Sequence, residues 1–175
     1  MGAGKTSVGR VLAERMHWPF QDLDDRIVER EGRAIAEIFR DAGEAAFRQT
    51  EHAALRQVLD EVRDGARQVV ALGGGAFAQK RNASLLRPMA VVFLDAPAEE
   101  LWSRCCRQAA ESGAERPLLK SMNQFRKLYE SRRRSYLQAA VTIQTGGRVV
   151  EAIAEEIAAV LGLGSVNRRA RGESE

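Results

Sequence analysis

The sequence predicts an α/β fold with a mainly parallel sheet flanked by helices. Two observations carry that reading. Short apolar runs at 69–72, 90–94 and 141–143 alternate with longer segments whose apolar residues recur at helical spacing. Alternation of this kind places each helix as a crossover between parallel strands. The bulk composition agrees: 175 residues, 45% apolar and 29% charged, describe one soluble globular domain with a core of its own.

Each element has its own signal. Residues 4–16 carry Val8, Val11, Leu12 and Met16 as a helical stripe. The short apolar stretch 18–23 reads as a buried strand ending in Asp22 and Asp24, with Asp24 placed to cap the next helix and Ile27 and Val28 facing inward. Ile35, Ile38 and Phe39 sit on a short helix that stops near Gly43. Residues 44–63 form a long amphipathic helix through Phe47, Leu55, Val58, Leu59 and Val62. The strand 69–72 runs into Gly73, Gly74 and Gly75. A helix over 79–86, a strand over 90–94 and a helix over 99–107 follow. Residues 110–119 are polar and irregular, and a lid is expected over about 108–120. A helix over 122–136, a strand over 141–143 and a helix over 148–161 close the domain, set at 1–163. The polar segment 164–175 reads as a disordered tail.

Several classes of function drop out. Lys and Arg number 27 against 24 Asp and Glu, a net charge of +3, without dense basic clusters interleaved with aromatics; no nucleic-acid partner is expected. The apolar run 89–94 is far short of a membrane span, and no charged start leads into an apolar leader. The cysteines, Cys105 and Cys106, are sequence neighbours and cannot pair without strain, so a reducing, cytoplasmic setting is expected. Among 27 basic residues 23 are Arg, the better planar clamp for carboxylate and phosphate.

The chemistry-bearing residues begin at the N-terminus. Gly2-Ala3-Gly4-Lys5-Thr6-Ser7 opens the first helix. Glycines let the backbone N–H groups curl toward one anion, and the helix start adds partial positive charge. Lys5 is placed to reach β- and γ-phosphates, and the Thr6 hydroxyl to ligate Mg²⁺. The full pattern G-x-x-x-x-G-K-[ST] puts its first Gly before residue 1, together with the apolar strand that normally precedes such a loop. Five buried apolar side chains contribute about 8 to 15 kcal/mol, comparable with the about 5 to 15 kcal/mol of a whole domain. The expectation is therefore a start upstream of Met1, or else a damaged copy.

Asp22 and Asp24, two apart at a strand end, share one face. One suits a magnesium water shell and the other a hydroxyl; the plainer reading makes Asp24 a helix cap. Arg48 has Glu44 four before it and Glu51 three after, either able to orient the guanidinium as a carboxylate clamp or to form a solvated ion pair. Gly73-Gly74-Gly75 allows a ligand close to the backbone. Arg116, in Arg116-Pro117-Leu118-Leu119, suits a lid arginine over a γ-phosphate, or a surface role. Of Arg132, Arg133 and Arg134, at least one faces solvent and at least one is free to face an anion.

Taken in order, these pieces resemble the shikimate kinase family. The match runs through GAGKT with Val8-Gly9-Arg10, Phe20-Gln21-Asp22-Leu23-Asp24, Gly32-Arg33 with Ile35-Ala36-Glu37-Ile38-Phe39, Gly43-Glu44 with Phe47-Arg48 and Glu51, Leu72-Gly73-Gly74-Gly75, Arg116-Pro117-Leu118-Leu119, and Arg132 four before Tyr136, over about residues 1–161. The resemblance implies a three-layer P-loop kinase fold with a five-stranded parallel sheet, its central first strand missing from this chain. It implies transfer of the γ-phosphoryl of ATP to the 3-hydroxyl of shikimate, with Mg²⁺, in aromatic amino-acid biosynthesis, by a monomer. Asp24 then binds the acceptor hydroxyl as base. Asp22 holds Mg²⁺ through water. Arg48 and Arg132, with Gly74 and Gly75, clamp the shikimate carboxylate. Residues 2–7 and Arg116 bind ATP, and Arg148 lies on the adenine side. Arg134 stands where the family has Pro, and the segment before Arg116 is longer than usual. The alternatives are a related small-acid kinase such as gluconate kinase, and a non-catalytic kinase-like module.

Overall fold

The computed structural model describes residues 2–62, 65–112 and 121–163. Eleven elements follow one another: α1 Lys5–Met16, β1 Phe20–Asp22, α2 Leu23–Glu31, α3 Ile35–Glu61, β2 Val69–Ala71, α4 Lys80–Leu85, β3 Val92–Asp95, α5 Ala98–Ser112, α6 Met122–Tyr136, β4 Val141–Gln144 and α7 Val150–Val160. The expected alternation of strands and helices is present.

The local reasons are visible. Gly4 caps α1 in the left-handed region at φ 78°, a conformation that side chains disfavour. The expected cap of α2 is corrected: Asp22, not Asp24, occupies the N-cap, and its Oδ1 accepts from the Asp24 N–H at 3.0 Å. The strand ends at Asp22, one residue before the expected stretch 18–23 does, so Asp24 already lies inside the first helical turn. The two helices expected on either side of Gly43 run on as one element, with Gly43 as its break at φ 77°, ψ 175°. Helix α5 reaches Ser112, so the first part of the segment expected as a lid is helical. The rest of that segment and the expected tail lie outside the described residues.

The sheet is parallel but comes in two halves. β1 pairs with β2 in the register Phe20–Val69, Gln21–Val70, Asp22–Ala71. β3 pairs with β4 from Val92–Val141 to Asp95–Gln144. Each half has its own core. Val8, Leu12, Leu94, Leu101, Phe125, Ile143 and Ile157 pack around the β3–β4 half. Leu23, Ile27, Ile38, Phe47, Leu55 and Val58 pack around the β1–β2 half. Between them lies a cavity of about 680 Å³, bounded by residues of β2 and β3 and by the apolar faces of α1, α3 and α7. Among the described residues no strand joins β2 to β3, the place where a central strand was expected.

Within each half the strands run parallel, so Asp22 and the glycine run after β2 lie at one end of the first pair. Adjacent residues of α6 reach both that glycine run and Asp95 at the end of β3, which brings the two ends to one edge. Open parallel sheets bind their ligands along this edge.

Candidate active site

A second cavity, of about 890 Å³, opens along that edge. The turn Gly2-Ala3-Gly4 and the first turn of α1 form one wall. Gly2 and Gly4 both take positive φ, at 64° and 78°. Gly2 has a second constraint: a Cβ there would lie 2.5 Å from the Leu101 carbonyl oxygen, so only glycine fits against α5. Lys5, Thr6 and Ser7 line the cavity, while Ala3 is buried beneath. The Thr6 hydroxyl donates to Asp22 Oδ2 at 2.7 Å. The start of α1 and the end of β1 thus set a hydroxyl, a carboxylate and a helix N-terminus side by side, a set of groups that suits a hydrated magnesium ion beside a phosphate.

Asp24 faces these groups from α2. Burial, and then the neighbouring Asp22 carboxylate, push its carboxyl above the ordinary range, with Asp25 adding to the rise; Lys5 and Arg48 pull it back without reversing it. Burial favours the neutral form because a charge loses its water. A half-buried carboxyl with a raised pKa, at the rim of a phosphate-binding wall, is a strong candidate for an acid–base group. The glycine run passes close by. A Cβ on Gly73 would sit 2.6 Å from Asp24 Oδ1, and one on Gly75 would sit 2.6 Å from Arg48 Nη1. A side chain at either position would displace a site group, the Asp24 carboxylate at Gly73 and the Arg48 guanidinium at Gly75.

Arg48, 9% exposed, extends from α3 toward this loop. Its Nη1 donates to both carboxylate oxygens of Glu51, at 3.2 and 3.0 Å. Its Nη2 and Nε donate to Glu44 Oε1 at 3.0 and 3.3 Å. Glu51 is buried and Glu44 lies open at the rim. From α6, Arg132 Nη1 donates to the Gly74 carbonyl oxygen at 3.3 Å, and the Tyr136 hydroxyl donates to the same oxygen.

The structure therefore brings together Gly2, Gly4, Lys5, Thr6, Ser7, Asp22, Asp24, Arg48, Gly74, Gly75 and Arg132 around one cavity. Arg148 stands elsewhere, donating to the Gln144 carbonyl at 2.8 Å and pairing with Glu156. Arg116 lies outside the described residues. Among the three consecutive arginines, Arg132 faces the cavity, Arg133 pairs with Asp95 at 2.8 Å and Arg134 is exposed. Sequence reasoning missed the clip behind the glycine run. His52 Nδ1 meets Asn82 Oδ1 at 2.7 Å, and Asn82 Nδ2 donates to the Ala76 carbonyl at 3.1 Å. No local spacing signals a contact across thirty residues.

The shikimate kinase family model matches residues 1–162. The chain belongs to the shikimate kinase family. The shikimate kinase of Streptomyces coelicolor is 43% identical over 158 residues, covering 89% of this chain and 87% of that one. That of Geobacter sulfurreducens is also 43% identical, over 162 residues, covering 90% and 84%. Among solved structures, the shikimate kinase of Acinetobacter baumannii in complex with shikimate superposes with a TM-score of 0.80 at 33% identity, covering 94% of this chain and 90% of that one. The shikimate kinase of Aquifex aeolicus gives 0.76 at 32% identity, over 93% and 92%. The fold is accordingly that of the P-loop kinases. Membership makes the chain a transferase that uses ATP, and the gluconate kinase and non-catalytic readings gain no support. Among the described residues no helix is long and apolar enough to cross a membrane.

Proposed function

We propose that this chain transfers the γ-phosphoryl group of ATP to the 3-hydroxyl of shikimate. One observation carries the reading. A buried guanidinium, a half-buried carboxyl and a glycine-lined backbone converge on the same cavity as the phosphate-binding turn. An acid with a ring hydroxyl satisfies all of them together.

Arg48 and Arg132 hold the carboxylate of the acid. Two planar guanidinium groups fix orientation as well as charge. Gly74 and Gly75 let the ring lie against the backbone. Asp24 accepts the hydrogen bond of the reacting hydroxyl, holds it in line with the γ-phosphorus, and takes its proton as the O–P bond forms. The backbone N–H groups of the 2–7 turn and the Lys5 ammonium receive the phosphates. Thr6 and Asp22 fit Mg²⁺: hard oxygen donors, few in number, beside a phosphate site. When bound there, the ion supplies neutralising charge to the β- and γ-phosphate oxygens. Arg116 adds a further guanidinium to the phosphates, and Arg148 belongs to the adenine side.

A single chain supplies all of these groups, so the reading needs no second copy, and the monomer is taken as the working unit. Neither Cys105 nor Cys106 is in a disulfide, which suits a reducing cytoplasm.

The test is ADP release coupled to a reporter, with shikimate or gluconate as acceptor. Release that depends on shikimate and Mg²⁺, and not on gluconate, supports the reading. Shikimate binding without ADP release would overturn it in favour of a non-catalytic module.

A further inference from the structure

Helix α6 presents four residues of one face, Tyr129, Arg132, Arg133 and Tyr136, at spacings of three and four. They divide into two pairs with different targets. Arg132 and Tyr136 reach the Gly74 carbonyl, beyond the end of β2. Tyr129 and Arg133 reach the Asp95 carboxylate, at the end of β3. β2 and β3 belong to different halves of the sheet. The helix is thus a tie across the ligand-binding edge, fastened at one end to a carboxylate and at the other to the glycine run.

Asp95 is built for that fastening. Its side chain is 5% exposed. Oδ1 accepts from the Tyr129 hydroxyl; Oδ2 accepts from Arg133 Nη2 at 2.8 Å and from Gln144 Nε2 at 3.3 Å. Burial alone pushes its carboxyl up, yet the bonds from Tyr129, Arg133 and Gln144 outweigh burial and hold it below the ordinary range. The anion is therefore present wherever the protein is folded near neutral pH. Asp95 does not line the cavity that holds the site.

We propose that Asp95 is a positioning residue for substrate binding, which sets the rotation of α6 and thereby aims Arg132 at the substrate carboxylate. With side chains, a helix is about 10–12 Å across, so a rotation of about 20° sweeps a side-chain tip by about 2 Å. A bidentate carboxylate clamp does not survive that displacement. Arg133 transmits the constraint because it is the residue directly after Arg132. The inference rests on the reading of Arg132 as a carboxylate ligand.

The experiment is calorimetric titration of the full chain with shikimate and, separately, with ADP. The variants are Asp95→Asn, Arg133→Gln, Arg132→Ala and the double variant Asp95→Asn/Arg132→Ala. Asp95→Asn and Arg133→Gln are expected to weaken shikimate about three- to ten-fold, the range of coupling within one hydrogen-bonded network. ADP affinity is expected to stay within about two-fold, the scatter of independent sites. In the Arg132→Ala background Asp95→Asn should then add less than that two-fold. Full additivity in the double variant, an equal loss for ADP, or unchanged shikimate affinity in Asp95→Asn would each overturn the proposal. Should Asp95→Asn fail to fold, Arg133→Gln carries the same comparison, since its side chain is 43% exposed. An inert Arg132→Ala removes the reading of Arg132 and this proposal with it. An effective Arg132→Ala beside an inert Asp95→Asn removes the role of Asp95 alone.

Discussion

Arg48 Nη1 straddles both oxygens of the Glu51 carboxylate, and Glu51 is 1% exposed. Burial pushes the Glu51 carboxyl up, and Arg48 draws it back only in part. A buried pair adds little net stability, but breaking it leaves one charge unpaired. Glu51→Ala is therefore expected to lower unfolding free energy by about 3 kcal/mol. A urea midpoint close to that of the parent chain would show that Arg48 finds other support.

Every nitrogen of the Arg48 guanidinium is engaged, Nη1 with Glu51 and Nη2 and Nε with Glu44, which holds the group rigid beside the glycine run. Arg48→Ala should weaken shikimate by about 2 to 5 kcal/mol, the loss on removing one partner of a closed, charge-assisted pair. ATP affinity should barely change. Separate titrations decide it, and equal losses for both ligands would remove Arg48 from the acid's pocket.

Glu44 occupies the edge of Arg48 that an incoming carboxylate needs. Its side chain is 61% exposed, and such a pair is worth at most about 1 kcal/mol. Glu44→Ala should thus free Arg48 and tighten shikimate by up to about five-fold. Weaker binding would mean that Glu44 orients Arg48 for its ligand instead of competing for it.

Much of this arrangement is legible in the sequence because it is local. Arg48 with Glu44 and Glu51 is a helical spacing, and the turn at residues 2–7 is a contiguous motif. Of the two aspartates expected at a strand end, Asp22 is there and caps α2, while Asp24 lies in the first turn of that helix. The strand stops at Asp22, so the helix begins sooner and takes the first carboxylate as its cap. The remainder depends on contacts distant in sequence. Nothing near Asp95 announces Tyr129 and Arg133, thirty-four and thirty-eight residues away. The three arginines on α6 are alike in sequence, and only the rotation of the helix against β3 separates Arg132, which faces the cavity, from Arg133, which meets Asp95, and the exposed Arg134.

Asp24 makes the sharpest case, because its two possible duties oppose each other. Its carboxyl is raised above its ordinary value by burial and by Asp22. Between the ordinary and the raised pKa the folded chain holds more protons than the unfolded chain, so this group's contribution to stability falls as pH rises through that window. Above it, the buried charge is a constant cost. Asp24→Asn removes the cost, and the cap of α2 is untouched because Asp22 supplies it. The variant should therefore be more stable than the parent at pH 7. Its stability should also fall less as pH rises through the acid range, although Glu51, raised in the same direction, keeps part of that slope in both chains. Catalysis should move the other way. With no charge to receive the hydroxyl proton, kcat should drop about 10²- to 10⁴-fold. In the parent, kcat/KM should fall on acidification with a pKa above the usual aspartate range. Denaturant titrations from pH 4 to 8 and rate profiles over the same interval test both halves. An Asn variant that keeps activity within a few-fold of the parent would reduce Asp24 to a substrate contact, and one less stable at pH 7 would mean that the charge is held by attraction to Lys5 and Arg48 after all.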